Sequence, residues 1–166
     1  GRYVQLRIQR KDSPAQEITV RALKSVKPLL YRRWVENNRR IVTEKSQGKL
    51  GYIHIPDMGK AGIAEFLRSY PIAYDAQGLI IDVRFNGGGH VSTLILQRLA
   101  LKRFGLDLTR WHDANFAYPI SSPRGCMVAL CNEHAGSDGD MFSFSFKRLG
   151  LGPLLGTRTW GGVVGI

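Results

Sequence analysis

Ser137 stands between Gly136 and Asp138 in VALCNEHAGSDGD, residues Val128 to Asp140, where an apolar run gives way to small residues and then to a helical pattern. A hydroxyl at such a junction lies beside the positive end of a helix, whose first N–H groups lack intrahelical partners and stabilise negative charge. Small neighbours let a carbonyl approach. These residue types suit a serine that attacks an acyl carbon, with the N–H of Asp138 as one donor to the developing oxyanion. A second donor is needed about 2.7–3.1 Å from that oxygen. A matching junction, IIDVRFNGGGHVS from Ile80 to Ser92, offers Gly87, Gly88 or Gly89, of which Gly88 is preferred. The competing reading makes Ser137 a helix cap and both loops tight turns, because GSDG is not the GxSxG elbow. The glycine run has the ingredients of an anion cradle, yet it lacks both the GK[ST] of a phosphate loop and the GxGxxG of a dinucleotide fold.

A nucleophilic serine needs a base. His54 sits inside the strand-like GYIHIP, and His112 reads as a loop residue. His90 follows the glycine run, while His134 lies three residues before Ser137 and is as suited to propping the loop as to taking a proton. None of the four stands out as the base. Cys126 and Cys131 end an apolar segment, CMVALC. As a strand it would hold their Cα atoms about 16 Å apart, too far for a disulfide, so free thiols in a reducing compartment are expected. No cysteine or histidine spacing points to a metal, and no cofactor is expected.

The elements that must position these residues show in the periodicity. YVQLRIQR and EITVRAL alternate around the turn-like KDSPAQ and predict an antiparallel strand pair. Residues 29–45 carry a helical pattern with Leu30, Trp34 and Ile41 near one face. From Leu50 onward apolar strands alternate with amphipathic helices. Strands are expected at 50–55, 79–83 and 127–131, and helices at 62–69, 91–103 and 138–149. That alternation predicts an α/β layer with a mainly parallel sheet, whose strand ends form the usual ligand crevice.

Composition agrees with a folded core: 43% hydrophobic and 22% charged residues. No apolar run reaches the ~18–20 residues that span a bilayer, so no membrane partner is expected. The net charge of +11 is uneven, with 13 basic and 4 acidic side chains in residues 1–50 against 11 and 9 in the rest. The basic residues are scattered, without aromatic platforms, and nucleic acid is not the expected partner. The apolar, glycine-rich close GTRTWGGVVGI and the two leading strands, too few to bury a core alone, read as parts of a longer protein.

GYIHIPDMG, IIDVRFNGGGHVS, NEHAGSDGD and LGLGPLLGTRTWGG together, in that order, resemble the tricorn protease family, a branch of the S41 serine peptidases related to the C-terminal processing proteases. The resemblance covers nearly the whole chain. It implies a ClpP/crotonase-like α/β core, preceded by strands similar to the end of a PDZ-like domain. The implied division is residues 1–24 for those strands, 25–49 for a basic connecting helix, and 50–166 for the nucleophile-bearing part of the catalytic domain. Ser137 then matches the nucleophile, and the N–H groups of Asp138 and Gly88 match the oxyanion donors. Gly162 stands where the processing proteases have their lysine base. The resemblance implies instead a histidine with a partner serine from the catalytic half upstream, and a glutamate downstream of TWGG. It further implies a peptide substrate, a cytoplasmic homo-oligomer and no metal. Asp107 and Asp113 are candidates for contacting basic substrate side chains.

Overall fold

The computed structural model describes residues 1–163, apart from the side chains of residues 112–114. The chain divides into two compact units, one of residues 1–36 and one of residues 37–166. In the first, β1 (Tyr3–Ile8) pairs antiparallel with β2 (Gln16–Arg21), from Tyr3 opposite Arg21 to Ile8 opposite Gln16. Helix α1 (Lys27–Ser46) begins in this unit and runs into the second.

The second unit is a mixed α/β structure with a four-stranded parallel sheet and flanking helices, as the alternating pattern predicts. Its strands are β3 (Leu50–His54), β4 (Gly78–Asp82), β7 (Cys126–Cys131) and β8 (Leu154–Gly156), in spatial order β3-β4-β7-β8. The connecting helices are α2 (Lys60–Ala73), α3 (Ser92–Leu99) and α4 (Asp138–Arg148). Ile53, Ile81 and Ala129 from the strands and Val83 just after β4 are buried with Phe66 and Tyr70 of α2, Ile95 and Leu99 of α3, and Phe142 and Phe146 of α4. Each large side chain so buried contributes roughly 1.5–3 kcal/mol. In α2 the missing side chain at Gly59 is replaced by Asp57, whose Oδ1 accepts from the N–H groups of Gly59 and Gly62, both at 2.8 Å.

Two differences from the sequence pattern matter. Helix α3 stops at Leu99 rather than Arg103, and the chain turns into an antiparallel pair, β5 (Gly105–Thr109) with β6 (His112–Tyr118). Leu106 and Leu108 alternate with Asp107 and Thr109, so the two-residue period was present, but over too few residues to stand out. β8, only three residues long, gave no periodic signal at all. Among the described residues no helix is long and apolar enough to cross a membrane.

Candidate active site

Because β3, β4 and β7 run parallel and in register, the loops that follow them emerge at one end of the sheet. They are laced together there. The buried Asn86 side chain donates from Nδ2 to Ile55 O (2.9 Å), and its Oδ1 accepts from Gly88 N (2.9 Å). Its own carbonyl accepts from Gly136 N at 3.0 Å, and Phe85 N donates to Asn132 Oδ1 at 2.9 Å. Met58 N donates to Gly88 O and His90 N to Met58 O, each at 2.7 Å. Both glycine-rich junctions therefore face one another across a few ångströms, as the shared strand–loop–helix pattern implies.

Ser137 occupies φ 54°, ψ −121°, makes no capping hydrogen bond and is exposed. A residue that merely capped α4 would sit in extended backbone with its oxygen on an N–H of the first turn. Ser137 does neither. Its backbone lies in a region that strains any side chain, a cost of order 1–3 kcal/mol tolerated mostly where function requires it. Gly88, at φ +84°, packs against it so closely that a Cβ there would lie 2.7 Å from Ser137 Cβ and 3.2 Å from Ser137 Oγ. A cavity of about 290 Å³ opens above, lined by Asn86, Gly87, Glu133, His134, Gly136, Ser137 and Trp160. Asp138 opens α4 and ties it to α3, because its carboxylate accepts from Ser92 N at 3.0 Å and from Ser92 Oγ.

The N–H groups of the glycine run are partly engaged within the loops. The Gly88 N–H, expected as the second oxyanion donor, is given to Asn86 Oδ1. The Gly87 N–H is given to Pro56 O at 3.2 Å. Gly89 is bridged to Met58 through the Gly88 carbonyl and the His90 N–H, which turns its own N–H away from Met58. Gly88 leaves room for Ser137 that a side chain there would fill.

Among the described residues no histidine, lysine or carboxylate hydrogen-bonds to Ser137 Oγ. His134 is the nearest in sequence, but its ring stacks on Phe85 with centroids 5.5 Å apart, and its Nε2 lies 3.8 Å from Glu133 Oε1. His54 is buried in β3 with Nε2 3.0 Å from the Arg84 carbonyl, and burial lowers its pKa below the ordinary value of 6.5. His90 is exposed. Asp107 is exposed on β5 and does not line the cavity. The Asp113 side chain, like that of His112, lies outside the described residues.

Three residues that sequence reasoning passed over hold or shape the site. Trp160 arrives from the segment after β8, its N–H donating to Ala135 O at 2.9 Å and its ring lying on Gly136. Glu133 lines the cavity beside it, and Asn86 fixes the glycine loop from below. The Asn that precedes a glycine run was the one available signal. Beneath the loop, the fully buried Asp82 accepts from Arg84 Nε (2.9 Å) and from Tyr52 OH (2.7 Å). Burial, then the Asp82 charge, pushes the Tyr52 hydroxyl pKa well up, and the Asp82 hydrogen bond raises that of Arg84.

This arrangement has counterparts. The tricorn protease of Thermoplasma acidophilum is 52% identical over 166 residues, which are 100% of this chain and 15% of that protein. A tricorn protease homolog of Saccharolobus solfataricus is 53% identical over 155 residues, covering 93% of this chain and 14% of the homolog. The crystal structure of the tricorn protease matches with a TM-score of 0.94 and 52% identity over 99% of this chain and 16% of that one. A putative peptidase from Parabacteroides merdae shares the fold, with a TM-score of 0.52 and 23% identity over 70% of this chain and 42% of that one. The chain thus spans about 15% of the length of the tricorn protease it matches. A family model described as Peptidase family S41 matches residues 49–166, from the edge of β3 onward, and this chain belongs to that family.

Proposed function

We propose that this chain carries the nucleophile and oxyanion donors of a tricorn-type serine peptidase that cleaves peptide bonds through an acyl-enzyme on Ser137. The observation that supports it best is the exposed, uncapped and strained Ser137 lying over Gly88 at the mouth of a cavity. Ser137 Oγ attacks the scissile carbonyl carbon as a base removes its proton. The negative oxygen is held by the N–H groups of Asp138, at the start of α4, and Gly89. The base then returns the proton to the leaving amine, and water hydrolyses the ester to free Ser137. The base is supplied from elsewhere in the protein, as a histidine oriented by a serine and a glutamate, which a positioned group makes worth about 10²–10⁴-fold. Residues 1–24 are the closing strands of a PDZ-like domain, and 25–49 connect it to the catalytic part. The substrate is a peptide, and the working protein is a cytoplasmic homo-oligomer. The free thiols of Cys126 and Cys131 suit that compartment.

A fluorophosphonate probe tests the reading. The intact protein is expected to label covalently, and Ser137→Ala to lose the label without losing its fold by circular dichroism. An intact, folded wild-type protein that does not label would reject the acyl-enzyme and leave a peptide-binding scaffold.

A further inference from the structure

Ser137 is held along the chain from both sides. The residue before it, Gly136, donates its N–H to the Asn86 carbonyl at 3.0 Å. The residue after it, Asp138, is held through its side chain, whose Oδ2 accepts from Ser92 N at 3.0 Å and whose Oδ1 accepts from Ser92 Oγ. Ser92 closes the motif IIDVRFNGGGHVS and has no part in the mechanism above. It is 5% exposed and opens α3, so both of its donors are directed to the first residue of α4. Its own place is fixed, because the two N–H groups before it, of His90 and Val91, both donate to Met58 O, at 2.7 and 3.1 Å.

This pair bears on the oxyanion in two ways. Among the described residues the Asp138 N–H is given to no acceptor, whereas the next one, of Gly139, is given to Gly136 O at 2.8 Å. An N–H serves a developing oxyanion best when its direction is set beforehand, and a carboxylate anchored on α3 sets it. That carboxylate, one residue from the nucleophile, would also repel the negative oxygen if it were free to approach. Two donors at the positive end of α3 hold it there instead. We propose that Ser92 is a positioning residue for acyl transfer: acting through the Asp138 carboxylate, it aims the Asp138 N–H at the oxyanion and turns the carboxylate itself toward α3. The proposal rests on the Ser137 reading above.

The test uses the intact protein, a fluorogenic peptide that it cleaves, and the matching peptide aldehyde, whose hemiacetal with Ser137 needs the same N–H donors. Fluorophosphonate labelling of the wild type, and its loss in Ser137→Ala, is read first. Ser92→Ala is expected to lower kcat about tenfold with KM within about twofold, a part of the roughly 10²–10³ that outright loss of an oxyanion donor costs. Its affinity for the aldehyde is expected to fall by a similar factor. Asp138→Ala keeps the N–H but loses the anchor, and is expected to fall as far. The double variant is expected to fall no further than either single one, because the two residues act as one device. An unchanged kcat in Ser92→Ala, even with a lower melting temperature, overturns the proposal and leaves the pair as a structural tie between helices. So does a rise in KM at constant kcat, or a double variant whose loss is the product of the two single losses. If Ser92→Ala does not fold by circular dichroism, Asp138→Ala alone decides on the same kcat and KM. Each of these results leaves Ser137 as the nucleophile, whereas an intact, folded wild type that does not label overturns that reading and the proposal together.

Discussion

A serine at φ 54°, ψ −121° cannot be maintained by its own preferences, so its neighbours must hold it, and Gly88 is one that lies against it. Adding a single methyl group there sets a Cβ 2.7 Å from Ser137 Cβ, on backbone at φ +84° that alanine resists. Gly88→Ala is therefore expected to displace the hydroxyl and slow fluorophosphonate labelling by about 10²-fold. The accompanying loss of stability is expected to be only about 1–3 kcal/mol, the usual cost of overpacking; labelling rate and thermal melting, measured side by side, check both. A variant that melts lower but labels at the wild-type rate would show that the close contact serves packing alone. At this scale the strand–loop–helix junction that carries Ser137 was legible, because small residues before a helical pattern are a local signal. The division of labour among Gly87, Gly88 and Gly89 was not. It depends on which N–H the Asn86 and Pro56 oxygens occupy, and Pro56 comes from a different loop, some thirty residues earlier.

The strands and helices that deliver the loops were legible wherever one periodicity ran long enough. The apolar run at 79–83 became β4, four of whose five residues are buried, and the helical pattern at 138–149 became α4, with Phe142 and Phe146 on its buried face. The β5–β6 hairpin was not legible because its alternation covers too few residues, and β8 was not because its three residues draw their order from pairing with β7, distant in sequence. β3 carries a consequence in its last residue, because His54 sits 4% exposed against the Arg84 carbonyl. Burial disfavours its charged form, so the unfolded chain takes up a proton near pH 6.5 that the folded chain resists. The contribution of neutral His54 to stability is fully present above that pH and is lost as the pH falls below it. Denaturant unfolding between pH 7.5 and 5 should show stability dropping toward acid, with a shallower drop in His54→Gln. Parallel slopes for the two proteins would mean that His54 becomes protonated without leaving its place.

At the scale of the molecule, cohesion is unevenly spread. Helices α2, α3 and α4 and the β3-β4-β7-β8 sheet share one buried cluster, whereas the β1–β2 pair is almost entirely exposed and the β5–β6 pair leaves Leu106, Leu108 and Phe116 in solvent. Two-stranded pairs are marginal without a covered face. Amide hydrogen exchange in the chain should accordingly be slowest in β4 and β7 and faster by about 10²-fold or more in β1–β2 and β5–β6; uniform protection would contradict this ranking. The segment after β8 links these scales. Thr157, Trp160 and Gly161 reach back to Glu133, Ala135 and Asp140 around the serine. During synthesis Ser137 leaves the ribosome two dozen residues before Gly161 does. The loop around it lacks those three tethers for that interval, and the serine emerges before the residues that hold its surroundings in place.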